Sequence, residues 1–106
     1  MRLTAVRGST LRGRDVLRGS EIVPFVYILR CRDGSFYTGA ARDLPARVRK
    51  HEAGTASRYT RARRPVVLVW SRRVRTWGRA LGEEIRIKGL KRRDKEALVS
   101  TRMAGA

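Results

Sequence analysis

The patterned part of the chain opens with two short apolar runs separated by a turn. Residues 25–29, Phe-Val-Tyr-Ile-Leu, are β-branched and aromatic, and residues 35–39, Ser-Phe-Tyr-Thr-Gly, follow closely. Asp33-Gly34 stands between them, and such a pair between two strand-forming runs favours a tight hairpin turn. The pattern therefore predicts a β-hairpin.

The pattern changes to helical spacing after the hairpin. Asp43 can cap a helix, Pro45 suits its first turn and Gly54 can end it, which predicts a first helix over residues 44–53. A basic loop follows. Residues 65–70 then form a continuous apolar run of strand length, which predicts a buried third strand.

Two further helices complete the predicted fold. Thr76 can cap a second helix whose apolar positions recur at helical spacing until Gly89, and residues 91–99 indicate a short third helix. The order β-β-α-β-α-α predicts an α+β fold, a three-stranded, mostly antiparallel sheet flanked by helices. We assign residues 24–99 to this single domain and expect residues 100–106 to be a flexible tail.

Residues 1–23 differ from the rest of the chain in composition and periodicity. Arginines alternate there with Gly, Ser and Thr, and no helical or strand period is sustained. This composition predicts a disordered basic arm. An inert tail is the preferred interpretation, followed by an auxiliary nucleic-acid arm and then by an organellar transit peptide.

Charge directs attention to polyanionic partners. The 106 residues carry 26 Lys plus Arg against 9 Asp plus Glu, a formal net charge of +17. Nucleic acid is the default partner of a basic domain, ahead of anionic membranes and acidic proteins. We expect DNA in preference to RNA, and no obligate protein partner is evident.

Cysteine content and hydropathy indicate the cellular compartment in which we expect the protein. Cys31 is the sole cysteine, so an intrachain disulfide and a thiolate metal cluster are both excluded. The longest apolar run covers residues 22–29 and contains a proline, far short of the roughly 20 residues that span a bilayer. We therefore expect a cytoplasmic protein without a membrane-spanning helix.

Four side chains form the first group of candidate site residues. Tyr27 and Tyr37 fall on adjacent strands, where cross-strand neighbours can bring their hydroxyls together, although both could simply be core aromatics with hydrated tips. Arg47 and His51 are four residues apart on the first helix and share a face. A guanidinium such as that of Arg47 can hold two phosphate oxygens and stabilise a transition state. His51 could hydrogen-bond a tyrosine, donate to a leaving oxygen, or simply end the helix.

The adjacent Glu83 and Glu84 have different helical neighbours. Glu83 is flanked by Arg79 and Arg86, which is typical of a solvated ion-pair row. Glu84 lies at the edge of the apolar stripe, where a carboxylate needs a partner. One carboxylate with substrate phosphate and waters is a common way to hold Mg²⁺, so Glu84 is the candidate metal ligand, for Mg²⁺ or Mn²⁺.

Residues 58–64 interleave one aromatic side chain with four arginines. This suits phosphate contact with base stacking, and the alternative is a solvated charge run. The candidate nucleic-acid-binding residues are Arg58, Tyr59, Arg61, Arg63 and Arg64, together with Gly39 and Lys88. Gly39 closes the second strand at a point where a Cβ could obstruct a phosphate or a tight turn.

These motifs together resemble the GIY-YIG nuclease superfamily. The match runs from Tyr27 through Tyr37-Thr38-Gly39, Arg47, His51 and Glu84, and it covers residues 24 to about 99. It is closest to small stand-alone bacterial members, although Phe25-Val26 replaces the name-giving Gly-Ile. The resemblance implies a metal-dependent endonuclease in which Tyr27 helps to activate water, Tyr37 orients water or phosphate, and Glu84 binds the metal.

Overall fold

A computed structural model describes the backbone of residues 23–105 and the side chains of residues 23–101. The predictions for the basic arm therefore fall almost wholly outside the described residues. The order along the chain is β-β-α-α-β-α-α around one three-stranded antiparallel sheet. The predicted α+β class is confirmed, with one additional short helix.

The predicted hairpin is present. β1 (Phe25–Arg30) and β2 (Phe36–Ala41) pair antiparallel, with Tyr27 opposite Gly39 and Leu29 opposite Tyr37. In the turn, the Asp33 carboxylate accepts from the Ser35 amide at 3.0 Å and from the Ser35 hydroxyl at 2.6 Å. An Asp side chain that bonds the backbone two residues on mimics a backbone turn, which is why the hairpin closes here.

The third strand lies at an edge of the sheet. β3 (Val67–Arg73) pairs only with the central β1, in the order β2-β1-β3. The prediction of a buried strand over residues 65–70 was wrong, because Val67 is 58% exposed and within the strand only Trp70 is buried. The run mixes outward and inward positions, and an apolar run by itself does not distinguish an edge strand from a central one.

Two helices follow the hairpin. α1 (Leu44–Ala53) begins at Asp43, whose carboxylate accepts from the Ala46 amide at 3.1 Å, and ends at the left-handed Gly54, as predicted. α2 (Arg58–Arg61) is a single turn inside the predicted basic loop. Its start is fixed by Ser57, which accepts from the Thr60 amide at 3.1 Å.

Two more helices follow β3. α3 (Trp77–Lys88) begins at the Thr76 cap and is followed by Gly89, as predicted. α4 (Arg92–Gly105) continues past the predicted end at residue 99. None of the helices in the described part of the chain is long and apolar enough to cross a membrane.

Alternate residues of β1 point to opposite faces of the sheet and form two core clusters. Tyr27 and Leu29 lie in the cluster that also holds Leu44 of α1. Val26 and Ile28 lie in the other, with residues of β3, α3 and α4. All four side chains are at most 1% exposed. Tyr27 is therefore packed within the core on the central strand, with its hydroxyl directed among buried side chains.

Candidate active site

Tyr27 is packed directly across Gly39. A Cβ added to Gly39 would lie 2.5 Å from the Tyr27 hydroxyl oxygen and 2.6 Å from its Cζ. The phenol ring thus occupies the space that any other residue at position 39 would fill. The sequence interpretation of Gly39 was a phosphate approach or a tight turn, whereas the geometry shows that the glycine makes room for Tyr27.

A buried hydrogen-bond chain begins at the Tyr27 hydroxyl. The hydroxyl lies 2.8 Å from Nε2 of His51, and Nδ1 of His51 lies 2.8 Å from the Thr60 hydroxyl. The Thr60 hydroxyl in turn lies 2.9 Å from the hydroxyl of Ser57. The chain links the central strand to α1 and α2, and both imidazole nitrogens are engaged.

His51 is held neutral. It is 1% exposed, and burial, followed by the nearby Arg47 charge, lowers its pKa from 6.5 to about 4. At neutral pH one ring nitrogen therefore donates and the other accepts. Of the three roles considered from the sequence, the geometry contains the hydrogen bond to a tyrosine hydroxyl and a position in the last turn of α1, and donation to a leaving oxygen stays a prediction.

Several charged groups converge on Tyr27. Burial raises the pKa of its phenol well above the usual value, and Tyr37 and Glu84 raise it further, whereas Arg47 lowers it. Electrostatic influence of this kind requires the groups to be near one another. The structure therefore brings together the two tyrosines, the guanidinium and the carboxylate that the sequence singled out.

The two glutamates of α3 have different partners, and both side chains are partly buried, with that of Glu83 27% exposed. Glu84 is paired with Lys88 at 2.8 Å, and its side chain is only 19% exposed. Glu83 is bonded to Arg86 at 2.9 Å and to Arg72 at 3.3 Å. Arg72 of β3 was not foreseen as a partner. The hydrogen bond to Glu84 and the charges of Glu84 and Tyr37 raise the pKa of Lys88, which indicates that Lys88 also lies near Tyr37.

An aromatic row extends from the buried chain toward the surface. Tyr37 contacts His51 edge-on at a centroid distance of 5.0 Å and stacks with Tyr59 at 6.0 Å. The Arg63 guanidinium lies 3.8 Å from the Tyr59 ring centroid and bonds Asp33 of the hairpin turn at 3.1 Å. Arg63 therefore covers Tyr59, where the sequence indicated base stacking.

The other loop arginines lie elsewhere. Arg64 donates to the carbonyls of Arg61 and Glu52 at 3.2 and 3.4 Å, so its guanidinium serves the fold. Arg58 and Arg61 line a separate depression beside Gly54. The contacts of these three arginines are thus made away from the aromatic row.

Two features of the site were not predicted from the sequence. Thr60 and Ser57 complete the buried chain, and their signal was the capping pattern Ser-x-x-Thr. A cleft of about 300 Å³ also adjoins Arg47, lined among others by Arg42, Lys50 and Trp77. The only signal for Trp77 was its place seven residues before Glu84 on the same helix.

The candidate site offers a metal ion one carboxylate and not a set of several protein ligands. Among residues 23–101 there is no group of three His, Cys, Asp or Glu side chains that could hold a metal ion. Glu84 offers oxygen ligands beside the tyrosines, and Mg²⁺ commonly keeps several waters when one or two carboxylates bind it. The residues present fit that mode of binding.

The fold is that of a small α+β domain, and its candidate site contains two tyrosines, a histidine and a glutamate. The family described as the GIY-YIG catalytic domain matches residues 23–97, and the chain belongs to this family. The predicted family is thereby confirmed, and its nuclease domain indicates an endonuclease that acts on nucleic acid. The UPF0213 protein of Staphylococcus aureus strain Mu3 is 47% identical over 78 residues, which cover 74% of this chain and 95% of that protein.

Solved structures are similar as well. The solution structure of a protein from E. faecalis has a TM-score of 0.53 at 32% identity and covers 77% of this chain and 88% of that one. The solution structure of a UPF0213 protein from Bacillus halodurans has 44% identity and a TM-score of 0.49, covering 74% of this chain and 83% of that one.

Proposed function

We propose that this protein is a metal-dependent endonuclease that hydrolyses phosphodiester bonds, with DNA as the preferred substrate. The observation that carries the proposal is the convergence on Tyr27 of a buried neutral imidazole, an arginine, a second tyrosine and a carboxylate. Burial alone accounts for a hydrogen-bond partner at the Tyr27 hydroxyl, so the arginine, the second tyrosine and the carboxylate that act on it are what favour a catalytic role.

The substrate phosphate is bound by Arg47 and Lys88. Both side chains are exposed, and both lie close to the tyrosine pair. A planar guanidinium can hold two phosphate oxygens and neutralise the charge that develops in the transition state. Arg47 therefore has the role of transition-state stabilisation, and Tyr37 orients water or phosphate.

Glu84 is the residue that would hold Mg²⁺ or Mn²⁺. When bound there, a hard divalent cation lowers the pKa of water and offsets phosphate charge. The half-buried position of the Glu84 side chain limits competition from bulk water. Lys88 shares this carboxylate at 2.8 Å, so it would have to turn toward the phosphate when a metal is held.

Tyr27 moves the proton as a neutral phenol. Its raised pKa disfavours a phenolate, so the hydroxyl oxygen takes a proton from water while its own proton passes to Nε2 of His51. Thr60 accepts from Nδ1 and fixes this tautomer. The water oxygen bonds to phosphorus, the bond to the leaving oxygen breaks, and solvent protonates that oxygen. His51 then returns its proton through the Tyr27 hydroxyl to solvent, which restores the neutral imidazole.

The low pKa of His51 has two causes. Part of the lowering comes from the Arg47 charge. Burial is the larger cause and is not relieved by substrate, so a bound phosphate would offset only the Arg47 contribution.

A second candidate function is a nucleic-acid-binding module that grips phosphate without efficient turnover. The Glu84–Lys88 pair favours it, because an ammonium group at 2.8 Å competes with a metal ion for the carboxylate. In this case binding would persist in a chelator and no substrate would be cut.

The test is a cleavage assay with Mg²⁺, Mn²⁺ or chelator on single-stranded, duplex, branched and RNA substrates. Arg47→Ala is compared with Arg49→Ala, since both are exposed arginines of α1 but only Arg47 is near Tyr27. We expect Arg47→Ala to lower the cleavage rate by about 10²–10³-fold, the cost of removing a transition-state donor. Metal-independent cutting, or equal effects of the two variants, would contradict the proposal.

A further inference from the structure

The cleft that Arg47 lines lies next to the proposed active site. It is formed by the end of β2, the start of α1 and the start of α3, and it has a volume of about 300 Å³. Arg42, Arg47, Lys50 and Trp77 line it, with Asp43 beside them. The Asp43 carboxylate caps α1, so the cleft offers three cations and one indole to a ligand. Arg47 belongs to both the cleft and the active site.

Trp77 is placed as a binding surface rather than as a core residue. Trp70, the other tryptophan, is 6% exposed and belongs to a core cluster. Trp77 is only half-buried and belongs to neither of the clusters formed by the described residues. Its ring is covered instead by the guanidinium of Arg42, 4.5 Å from the centroid.

From this arrangement we propose that the cleft binds an unpaired nucleotide of the substrate strand, with its base stacked on Trp77. The inference rests on the proposed nuclease function and specifies its substrate class. Base stacking on an aromatic side chain is stronger than an exposed cation–π contact, so an incoming base displaces Arg42. The displaced guanidinium then pairs with a phosphate, as Lys50 does.

The spacing along α3 connects the cleft to the site of cutting. Trp77 and Glu84 are seven residues apart, which is nearly two helical turns, so they share one face about 10 Å apart along the axis. That distance corresponds to about three nucleotides at the duplex rise of about 3.4 Å, and to fewer in an extended strand. The unpaired nucleotide is therefore close to the cut phosphate.

Stacking on Trp77 requires a base that is not in a helix. Both faces of a base within a duplex are covered by its neighbours, and exposing one costs the energy of unstacking and unpairing. A tail, flap or gap presents such a base at no cost. The preferred substrate is therefore a duplex with a single-stranded segment next to the cut.

The experiment measures binding in chelator, so that cutting does not contribute. A labelled blunt duplex and the same duplex with a short single-stranded tail, each as DNA and as RNA, are titrated with the full chain by fluorescence anisotropy. We expect tighter binding of the tailed duplex and a loss of about tenfold for Trp77→Leu on that duplex alone. Trp77→Phe keeps an aromatic face and should retain most of the affinity.

Arg93→Ala is the control, because Arg93 is an exposed cation on α4 outside the cleft; it should weaken tailed and blunt duplexes equally. Quenching of tryptophan fluorescence by the tailed duplex, present in wild type and absent in Trp77→Phe, supports stacking even if Trp77→Leu fails to fold. Equal losses on both duplexes, or no quenching at Trp77, would overturn the inference.

The two proposals fail separately. A protein that cuts nothing yet prefers the tailed duplex through Trp77 would retain the cleft as a binding site and lose the nuclease function. A protein that cuts in Mg²⁺ while Trp77→Leu behaves as wild type would lose the cleft proposal alone.

Discussion

Replacing Gly39 with alanine should misplace Tyr27. The new Cβ would lie 2.5 Å from the phenol oxygen, whereas carbon atoms pack at about 3.5–4.0 Å, so the ring must move by roughly 1 Å. Tyr27 is 1% exposed, and overpacking at such a site costs about 1–3 kcal/mol. The shift also strains the 2.8 Å bond to His51, whose loss costs about 1 kcal/mol.

The opposing effect is smaller. Gly→Ala restricts the unfolded chain and stabilises a protein by about 0.4–1 kcal/mol where the backbone permits it. We therefore expect a net loss of about 1–3 kcal/mol in the free energy of unfolding, measured by urea denaturation. A catalytic group displaced by about 1 Å can lower the rate about 10²-fold, so cleavage should fall more than stability alone explains.

Gly82→Ala is the matched control. Gly82 lies within α3, and an added Cβ would meet nothing within 4 Å. Alanine is the better helix former by about 1 kcal/mol, so this variant should be slightly more stable and fully active. If Gly39→Ala had wild-type stability and cleavage, the packing of Tyr27 across Gly39 would not position the site.

Three further results are expected. Folding lowers the pKa of His51 from 6.5 to about 4, so between these pH values the unfolded chain binds more protons than the folded one. The free energy of unfolding should therefore fall by up to about 3 kcal/mol as the pH drops through this window. Unchanged stability would mean that His51 is charged in the folded protein. Duplex binding should weaken linearly in a log–log plot against salt, by about 0.9 per phosphate contact, and a flat plot would exclude phosphate recognition. Deleting residues 1–21 should preserve the cooperative unfolding transition; its loss would show that the arm is part of the core.

The sequence predicted those elements whose ends carry local chemistry. Asp43 and Thr76 are side-chain caps, and Gly54 and Gly89 follow the helices they end, so α1 and α3 were placed correctly. β3 was misplaced because strand position depends on pairing with β1, which no local pattern specifies. Tertiary pairing placed the polar residues Arg72 and Arg73 inside the strand.

The candidate site was predictable to a similar extent. The pairing of Tyr27 with Tyr37 was predicted from the strands, and the resemblance to the family implied that Arg47 and Glu84 lie nearby; the influence of all three on the Tyr27 pKa agrees with this. Thr60 was missed because its role depends on a side chain nine residues away in the chain. Residues that act across elements carry no local periodicity, so only the folded structure brings them together.

For the arginines of residues 58–64, the sequence did not predict the contacts that the side chains make within the protein. The run of residues 58–64 indicated phosphate contact for all its arginines, yet Arg63 is tied to Asp33 and Arg64 to backbone carbonyls. Charge density in a sequence does not distinguish a cation that is used inside the fold from one available to a ligand. Phosphate binding by Arg58, Arg61, Arg63 and Arg64 stays a prediction.

The most direct test of the account compares the adjacent glutamates of α3. Glu84→Gln keeps the side-chain shape but removes the charge that a hard cation requires, whereas Glu83→Gln removes only the surface bonds to Arg86 and Arg72. Both variants are assayed for Mg²⁺-dependent cleavage alongside melting temperature and binding. We expect Glu84→Gln to bind nucleic acid but no longer cut it, and Glu83→Gln to cut as wild type does. Full cleavage by Glu84→Gln, or inactivity of a folded Glu83→Gln alone, would contradict the proposed active site.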